Sequence, residues 1–219
     1  KEYWDLVRKY PMYQGGFIWD FVDQAVRKVG KSGRKVLGYG GDWNTYDPTD
    51  HNFCANGLIN PERKLNPHMH EVRFCYQNIW TEVQDASIIV RNENFFKSLD
   101  NVMMNWSLLQ NGQPVLHGSI DLNGVDPQSS VSIPLPFKTS LLDSSFENIL
   151  NLSFVLKKYE PLLQAGHETA KAEHILTPYT FASEHTHKGE LNSKESDETL
   201  VISDGAYEVS FDKSNGFIS

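Results

Sequence analysis

An apolar run that ends in a tryptophan between carboxylates is the feature of this sequence that could do chemistry. Trp19 and Asp20 close the run, Asp23 follows, and the loop beyond carries Asp42 and Asp50. The flat face of an indole covers the C–H face of a sugar ring, and carboxylates accept hydrogen bonds from sugar hydroxyls. Two carboxyl groups about 5–5.5 Å apart could also cleave a glycosidic bond with retention of configuration. The pattern therefore predicts a sugar pocket, with or without catalysis in it.

The spacing of the four aspartates does not place any two of them across a bond. Because the side chain of Asp is short, we expect these residues to stabilise the loop and to contact hydroxyls. Trp19 stands at the end of a predicted strand, and α/β barrels bind their ligands at the carboxyl ends of strands. We interpret Trp19 as a stacking platform for a sugar, with burial in a core as the alternative.

Two segments together resemble one known family: QGGFIWDFVDQ at residues 14–24 and NFCANGL at residues 52–58. They are similar to the last strand and the following loops of the catalytic barrel in the β-galactosidases of glycoside hydrolase family 2. The resemblance continues at Asn66-Pro67-His68, similar to the start of the last barrel helix. It also continues at LQAGHE (163–168), which resembles a strand bulge of the next domain, and at FDKSNGFIS (211–219), which resembles the start of the domain after that.

The resemblance implies roles for four residues. Trp19 would stack on galactose, and Asn56 would lie close to the sugar. Asp50 stands where the family has a carboxylate beside the Phe–Asn loop. Phe53, through its backbone carbonyl, and Asn56, through its side-chain oxygen, would help to bind a monovalent cation. Sodium and magnesium are thus the cofactors implied for the parent enzyme, and we expect none to be bound by this chain alone.

The resemblance also implies what the chain lacks. In the family, the catalytic acid and the nucleophile are glutamates upstream of the matched segment, so no catalytic residue is assigned here. Lys1 opens the sequence without an initiating Met and within a helical pattern. We therefore expect a fragment of a large retaining β-galactosidase that acts on lactose-like substrates, and we expect the fragment alone to be inactive.

The fold class predicted is mixed. An eight-stranded α/β barrel takes about 250 residues, more than the 219 of this chain. Residues 1–79 are predicted to form the C-terminal part of such a (β/α)8 barrel. Residues 80–184 show short alternating segments and predict a complete immunoglobulin-like β-sandwich. Residues 185–219 predict a polar linker and the first strands of a further large β-sandwich.

Local patterns predict the individual elements. A first helix ends at Pro11, a strand covers Phe17–Trp19, a long loop follows, and a second helix runs from Asn66 as N-cap and Pro67 to about Ile79. Asn111-Gly112 predicts a tight hairpin. The later strands are predicted at Ser87–Arg91, Val102–Gln110, Val115–Asp121, Ser130–Pro134, Leu150–Leu156, Ala172–Phe181, Leu200–Ser203 and Ala206–Phe211.

Charge and composition limit the partners. The formal net charge is −8 and no long basic run occurs, which argues against nucleic acid and against an anionic membrane surface. We expect a β-galactoside sugar and the remaining domains of the parent as partners. We leave open that the parent forms a homo-oligomer. No targeting segment is visible, so the compartment, cytoplasmic or periplasmic, is not predicted.

Histidines and cysteines are given structural interpretations. His68 and His70 are two positions apart on a predicted helix and point to different faces, so we do not expect them to bind zinc. Cys54 and Cys75 stand in apolar surroundings and are predicted to be buried free thiols, with a bridge or a reactive group as the alternative.

A second interpretation belongs to another functional class. The sandwich is the one complete fold unit predicted, and it could be a non-catalytic structural or carbohydrate-binding module. Such a module should present clustered aromatic side chains on its surface. Trp80 and Trp106 instead follow core or interface patterns, with Trp106 on the same strand face as Val102, Met104 and Leu108. This difference separates the two hypotheses.

Overall fold

The computed structural model describes residues 2–44, 46, 51, 54–181 and 190–219. It is mostly β-strand with few helices. The elements divide into two compact units, residues 1–179 and 180–219, which are described separately. Within the described residues, no helix is both long enough and apolar enough to cross a bilayer. Asp50 and Phe53 lie outside the described residues.

Two short helices flank residues 10–67, which we call the tryptophan segment because they contain Trp19. Helix α1 covers Glu2–Lys9, with acidic residues in its first turn and basic residues in its last, as the helix dipole favours. Helix α2 covers His68–Cys75, so the prediction that it continues to Ile79 is wrong. Asn66 does not cap this helix, because Pro67 takes the N-cap position and no side-chain cap bond forms. Ile79 instead pairs with Asn92 in a sheet, and that pairing outcompetes the helical pattern.

The strand predicted at Phe17–Trp19 does not form. These residues have no regular backbone pairing, and Phe17 is fully exposed. A barrel strand needs hydrogen-bonded neighbours on both sides, and the described residues supply none at this position. Pairing begins at the next residue, where the carbonyl of Asp20 accepts a bond from Leu58 N at 2.9 Å.

The long loop predicted after Trp19 contains a hairpin. Strands β1 (Val26–Val29) and β2 (Lys35–Gly38) pair antiparallel. The turn between them includes Gly33, whose φ of +78° is accessible to glycine at little cost. A short 3-10 turn at Gly40–Asp42 follows the hairpin.

Two antiparallel sheets form the next region. One has the order β3-β4-β7 and the other the order β6-β5-β8-β9. Asn111 and Gly112 both have positive φ, +48° and +77°, so the predicted two-residue hairpin between β5 and β6 is confirmed. The strands are β3 (Ile79–Gln84), β4 (Ser87–Asn92), β5 (Val102–Gln110), β6 (Gln113–Asp121), β7 (Ser130–Pro134), β8 (Asn148–Leu156) and β9 (Glu168–Thr177).

A closed apolar core lies between these sheets. Strand β8 alternates between buried and half-buried positions along its whole length, as expected for one face against a core. Trp106 is half-buried against this core, and its ring lies 5.7 Å from the ring of Phe137. The prediction that Trp106 is a core aromatic is confirmed. Fully buried core side chains include Ile88, Val90, Met104, Leu108, Leu150 and Phe154.

Side chains that connect the helical region to the sheets include those of Arg8 and Gln77. The guanidinium of Arg8 donates to both carboxylate oxygens of Glu93 and lies 4.5 Å from the ring centre of Trp80. At the open edge of β9, the amide of Gln77 donates to Lys171 O at 3.1 Å and accepts from Lys171 N at 3.0 Å. Gln77 thereby takes the place of a neighbouring strand.

The second unit contains a three-stranded antiparallel sheet of order β10-β11-β12. Its last strand is followed by a turn in which Asp212 accepts bonds from Ser214 N and Ser214 Oγ at 2.7 and 2.6 Å. These bonds lower the pKa of Asp212. The strands are β10 (Asn192–Glu195), β11 (Thr199–Ser203) and β12 (Glu208–Asp212).

Candidate functional site

Trp19 presents its ring to solvent. Its exposed fraction is 69%, so the alternative of burial in a core does not hold within the described residues. The Trp19–Asp20 peptide bond is cis. Directly after it, Oδ1 of Asp20 is buried without a hydrogen-bond partner among the described residues. The indole and an unsatisfied carboxylate oxygen thus lie on consecutive residues.

The segment after Asn56 pairs with the segment after Trp19. The amides of Leu58 and Ile59 donate to the carbonyls of Asp20 and Phe21, both at 2.9 Å. Asp23 N returns a bond to Ile59 O at 3.0 Å, and Val22 and Ile59 form a parallel bridge. Paired strands lie about 4.8 Å apart. Trp19 and Asn56, each just before the paired stretch, are therefore brought to the same end of it.

Gly57, the residue after Asn56, is held on both sides. Its amide donates to Oδ1 of Asp23 at 2.5 Å. Its carbonyl accepts from Nδ2 of Asn66 and from Nε2 of His68, both at 2.8 Å. A Cβ on Gly57 would overlap Asp23 N and lie 2.7 Å from the carbonyl carbon of Val22. Only glycine fits between these groups without displacing the backbone.

The carboxylates of Asp23 and Asp42 serve local structure. Asp23 is buried, with 8% of its surface exposed, and its Oδ1 is engaged by Gly57. Asp42 accepts a bond from Tyr39 N at 3.0 Å in the 3-10 turn, and the amine of Lys28 donates to the backbone carbonyl of Asp42. These contacts fit the expectation that the aspartates stabilise the loops.

Of the histidine and cysteine side chains that the structure describes, His68 is engaged in a local contact and Cys54 and Cys75 are free thiols. Among the described residues, no group of three or more His, Cys, Asp or Glu side chains could hold a metal ion. Nε2 of His68 is engaged by the Gly57 carbonyl, which can only accept, so this nitrogen carries the proton. Cys75 is a buried free thiol, and Cys54 is a half-buried one.

An apolar cleft of about 370 Å³ lies between the two helices and the residues before Trp19. Its walls include Trp4 and Val7 of α1, Val72 of α2, Tyr76 directly after α2, and Phe17. The ring of Trp4 meets the ring of Tyr76 edge-on, 4.6 Å between centres. Neither Trp19 nor Asn56 lines this cleft, so it is separate from the predicted sugar site.

Two family models match most of the sequence in succession. Residues 1–81 match the TIM barrel domain of the glycosyl hydrolases of family 2, and residues 88–177 match domain 4 of β-galactosidase. The chain belongs to glycoside hydrolase family 2. The TIM barrel match contains Trp19, Asn56 and the residues around Gly57, so the candidate site lies within the part of the chain that matches this domain.

Curated relatives in this family carry the name β-galactosidase. The protein of Halalkalibacterium halodurans is 34% identical over 98% of this chain and 21% of its own length. That of Streptococcus thermophilus is 33% identical over 91% of this chain and 19% of its own length. That of Vibrio vulnificus is 36% identical over 80% and 17%. The chain thus spans about a fifth of the length of these relatives.

Three residues around Gly57 were not assigned a site role from the sequence. The sequence predicts that Asp23 stabilises the loop and contacts hydroxyls, that Asn66 caps a helix, and that His68 lies on a helix without binding zinc. The available signal was the Asn-Gly pair at 56–57, since a glycine beside a predicted ligand residue marks a close backbone approach. Which groups approach it depends on pairing between residues far apart in the sequence.

Proposed function

We propose that this chain supplies part of the galactose-binding subsite, and the domain scaffold around it, of a multidomain retaining β-galactosidase. The observation that carries the proposal is the exposed indole of Trp19 at the same end of a paired segment as Asn56. An exposed tryptophan is an apolar surface that a sugar face can cover. The match to a family 2 barrel domain supports the same assignment.

The finer architecture is part of this proposal. Residues 1–79 are the closing part of a catalytic (β/α)8 barrel, and residues 80–184 are an immunoglobulin-like sandwich. Residues 185–219 begin a further β-sandwich. The unpaired backbone at Phe17–Trp19 supports the first assignment, because such a strand requires partners from elsewhere in a barrel.

Each residue of the subsite has a physical role. Trp19 stacks on the apolar face of galactose, and Asn56 hydrogen-bonds with hydroxyls through its side-chain amide. Asp50 accepts from a further hydroxyl. The two catalytic glutamates come from the remainder of the parent. This division of roles is consistent with Asp23 and Asp42, whose carboxylates accept local backbone bonds.

Sodium is proposed at the same end of the site. Phe53, through its carbonyl, and Asn56, through its side-chain oxygen, would bind it, and oxygen ligands are those that a hard cation prefers. When bound, the ion supplies a fixed positive charge near the sugar hydroxyls. Magnesium is proposed for the parent without ligands from this chain. No compartment is assigned to the parent. A homo-oligomeric assembly is a property of the whole parent and not of this chain alone.

Galactose binding tests the proposal. Ligand-observed NMR would compare the 219-residue chain with its Trp19→Ala variant, and we expect binding to weaken by about tenfold or more without the indole. Unchanged binding in the variant, or no binding by the unmodified chain, would overturn it. The chain alone should cleave no aryl β-galactoside, and cleavage that Asp20→Ala or Asp50→Ala abolishes would contradict the assignment of catalysis to the remainder of the parent.

A carbohydrate-binding sandwich is the second candidate function. It is favoured by three exposed aromatic side chains at one end of the sandwich, Phe95, Phe96 and Tyr159. Their loops are joined by an ion pair between Lys97 and Glu160 at 2.6 Å. Phe96→Ala is the matched control in the NMR experiment. Loss of binding in Phe96→Ala with retention in Trp19→Ala would favour the second candidate over the first.

A further inference from the structure

The hydrogen bonds between Gly57 and the side chains of Asp23, Asn66 and His68 directly restrict the position of Asn56. The amide nitrogen of Gly57 belongs to the peptide unit that also contains the Cα and carbonyl of Asn56, and a peptide unit is planar. The bond from Gly57 N to Oδ1 of Asp23, at 2.5 Å, therefore fixes the plane on which Asn56 is mounted. The bonds from Asn66 and His68 fix the next peptide plane through the Gly57 carbonyl.

Burial makes the Asp23 contact the strongest of the three. Asp23 is buried, and a hydrogen bond to a carboxylate is stronger than one between neutral groups. Asn66 is half-buried and the ring of His68 is exposed, so their bonds compete with water. The carbonyl nevertheless accepts from two side chains at once, which restricts the orientation of its peptide more than one bond would.

Asp23 also belongs to the segment that carries Trp19. Its own amide donates to Ile59 O, so the same residue binds the Asn56 segment through backbone and side chain together. A shift of Asn56 relative to Trp19 must break or stretch at least one of these bonds. Sugar sites need such precision, because a displacement of about 1 Å weakens binding and catalysis.

We infer that Asp23, Asn66 and His68 are positioning residues that set Asn56 against Trp19. This inference rests on the proposed function for its biological meaning, but its geometry can be tested without a sugar. We assign these three side chains a role that requires no contact with the sugar. They act through Gly57, and the absence of a side chain at Gly57 is what permits the close approach.

The test compares removal of a bond with its replacement. In Asp23→Ala, the exchange of the Gly57 amide with solvent should accelerate by about tenfold or more, and the side-chain amide resonances of Asn56 should shift. Asp23→Asn keeps an acceptor oxygen at the same place and should restore most of the protection. A purely structural role would make both variants equally damaging, and that result, or an unchanged Gly57 amide in Asp23→Ala, would overturn the inference.

Two milder variants keep the test valid if Asp23→Ala does not fold. Asn66→Asp preserves shape but removes the donor to the Gly57 carbonyl, and His68→Ala removes the other donor at an exposed position. Each should shift the Asn56 and Leu58 amide resonances, and His68→Gln, which can donate again, should reverse the shift. No shift at Asn56 in either variant contradicts the inference.

Galactose affinity separates this inference from the proposed function. If Trp19→Ala leaves galactose binding unchanged, the assignment of the sugar site is wrong. The amide measurements still report on the hydrogen bonds to Gly57. If Trp19→Ala abolishes binding while His68→Ala and Asn66→Asp leave both Asn56 and affinity unchanged, the site is right and the positioning role is wrong. With a positioning role, both variants weaken galactose binding severalfold, and His68→Gln recovers it.

Discussion

The tryptophan segment and the sandwich differ in how far each buries its apolar side chains. In the sandwich, Ile88 and Phe154 are completely buried between two sheets. In the tryptophan segment, Phe17 is fully exposed and an apolar cleft remains open beside the helices. The sandwich closes its core with its own strands, whereas the tryptophan segment keeps its form through polar bonds around Gly57 and Asp23.

The difference shows what each region requires. A closed core supplies stability by burial of apolar area, at about 25 cal/mol per Å². Large exposed apolar surfaces indicate a surface that another element covers. The sandwich is thus expected to tolerate isolation, and the tryptophan segment to gain stability from an element that covers its exposed apolar surface.

Removal of a core side chain should give the largest effect. Phe154→Ala is expected to lower the free energy of unfolding by about 3–5 kcal/mol, because the cavity left by the ring cannot be filled by its neighbours. Urea unfolding followed by circular dichroism would measure it. A loss below about 1 kcal/mol would mean that the core is not closed, and the contrast between the two regions would be lost.

The joint between the regions should give an intermediate effect. Gln77→Ala removes both bonds to the edge of β9 and is expected to cost about 1–3 kcal/mol. Exchange of the Lys171 amide should accelerate with it. Gln77→Glu keeps the acceptor for Lys171 N but loses the donor to Lys171 O, so it is the matched control. Equal protection of Lys171 in the Gln77→Ala variant and the unmodified chain would refute this role.

A pH effect near neutrality is expected in the sandwich. Burial lowers the pKa of His174, partly opposed by the charge of Glu82, and Nε2 of His174 lies 2.8 Å from the Thr81 hydroxyl. The unfolded state therefore takes up the proton first. The contribution of neutral His174 to the free energy of unfolding is fully present above the unfolded pKa of about 6.5. This contribution is lost as the pH drops toward the lower folded pKa.

Urea midpoints at pH 7.5 and 5.5 would measure this fall, with His174→Gln as the control. The variant should show a smaller difference between the two pH values, because its side chain does not titrate. The same difference in both proteins would assign the effect to other groups.

The smallest effect on stability should come from the exposed apolar residue. Phe17→Ser is expected to change the free energy of unfolding by less than about 0.5 kcal/mol, since the ring buries nothing within the described residues. Self-association should decrease, which light scattering would detect. A loss comparable to that of Phe154→Ala would show that Phe17 is packed, and the two regions would then not differ.

The sequence predicts most of the sandwich strands because their signals are local, but β3 is not among the predicted strands and β9 covers Glu168–Thr177 rather than Ala172–Phe181. β5 and β7 have the predicted bounds, Val102–Gln110 and Ser130–Pro134. Alternation and an Asn-Gly turn need no knowledge of distant residues. The hairpin of β1 and β2 escaped prediction because lysine and arginine interrupt its alternation, and its residues are mostly exposed.

Only part of the candidate site could be predicted from the sequence. Trp19 and Asn56 could be chosen by residue type and family resemblance, but their proximity depends on pairing between Asp20–Asp23 and Gly57–Ile59. No local pattern encodes such pairing. The positions of Asp23, Asn66 and His68 follow from it, so their contacts with Gly57 could not be predicted.

Arg8 couples the stability of the first helix to that of the sandwich. Its guanidinium is joined to Glu93 and stacked on Trp80, two residues of the sheet region. Unfolding of the sandwich would remove both contacts at once, so α1 should unfold cooperatively with it. A protease that cleaves within α1 would therefore report on the opening of a sheet to which that helix does not belong.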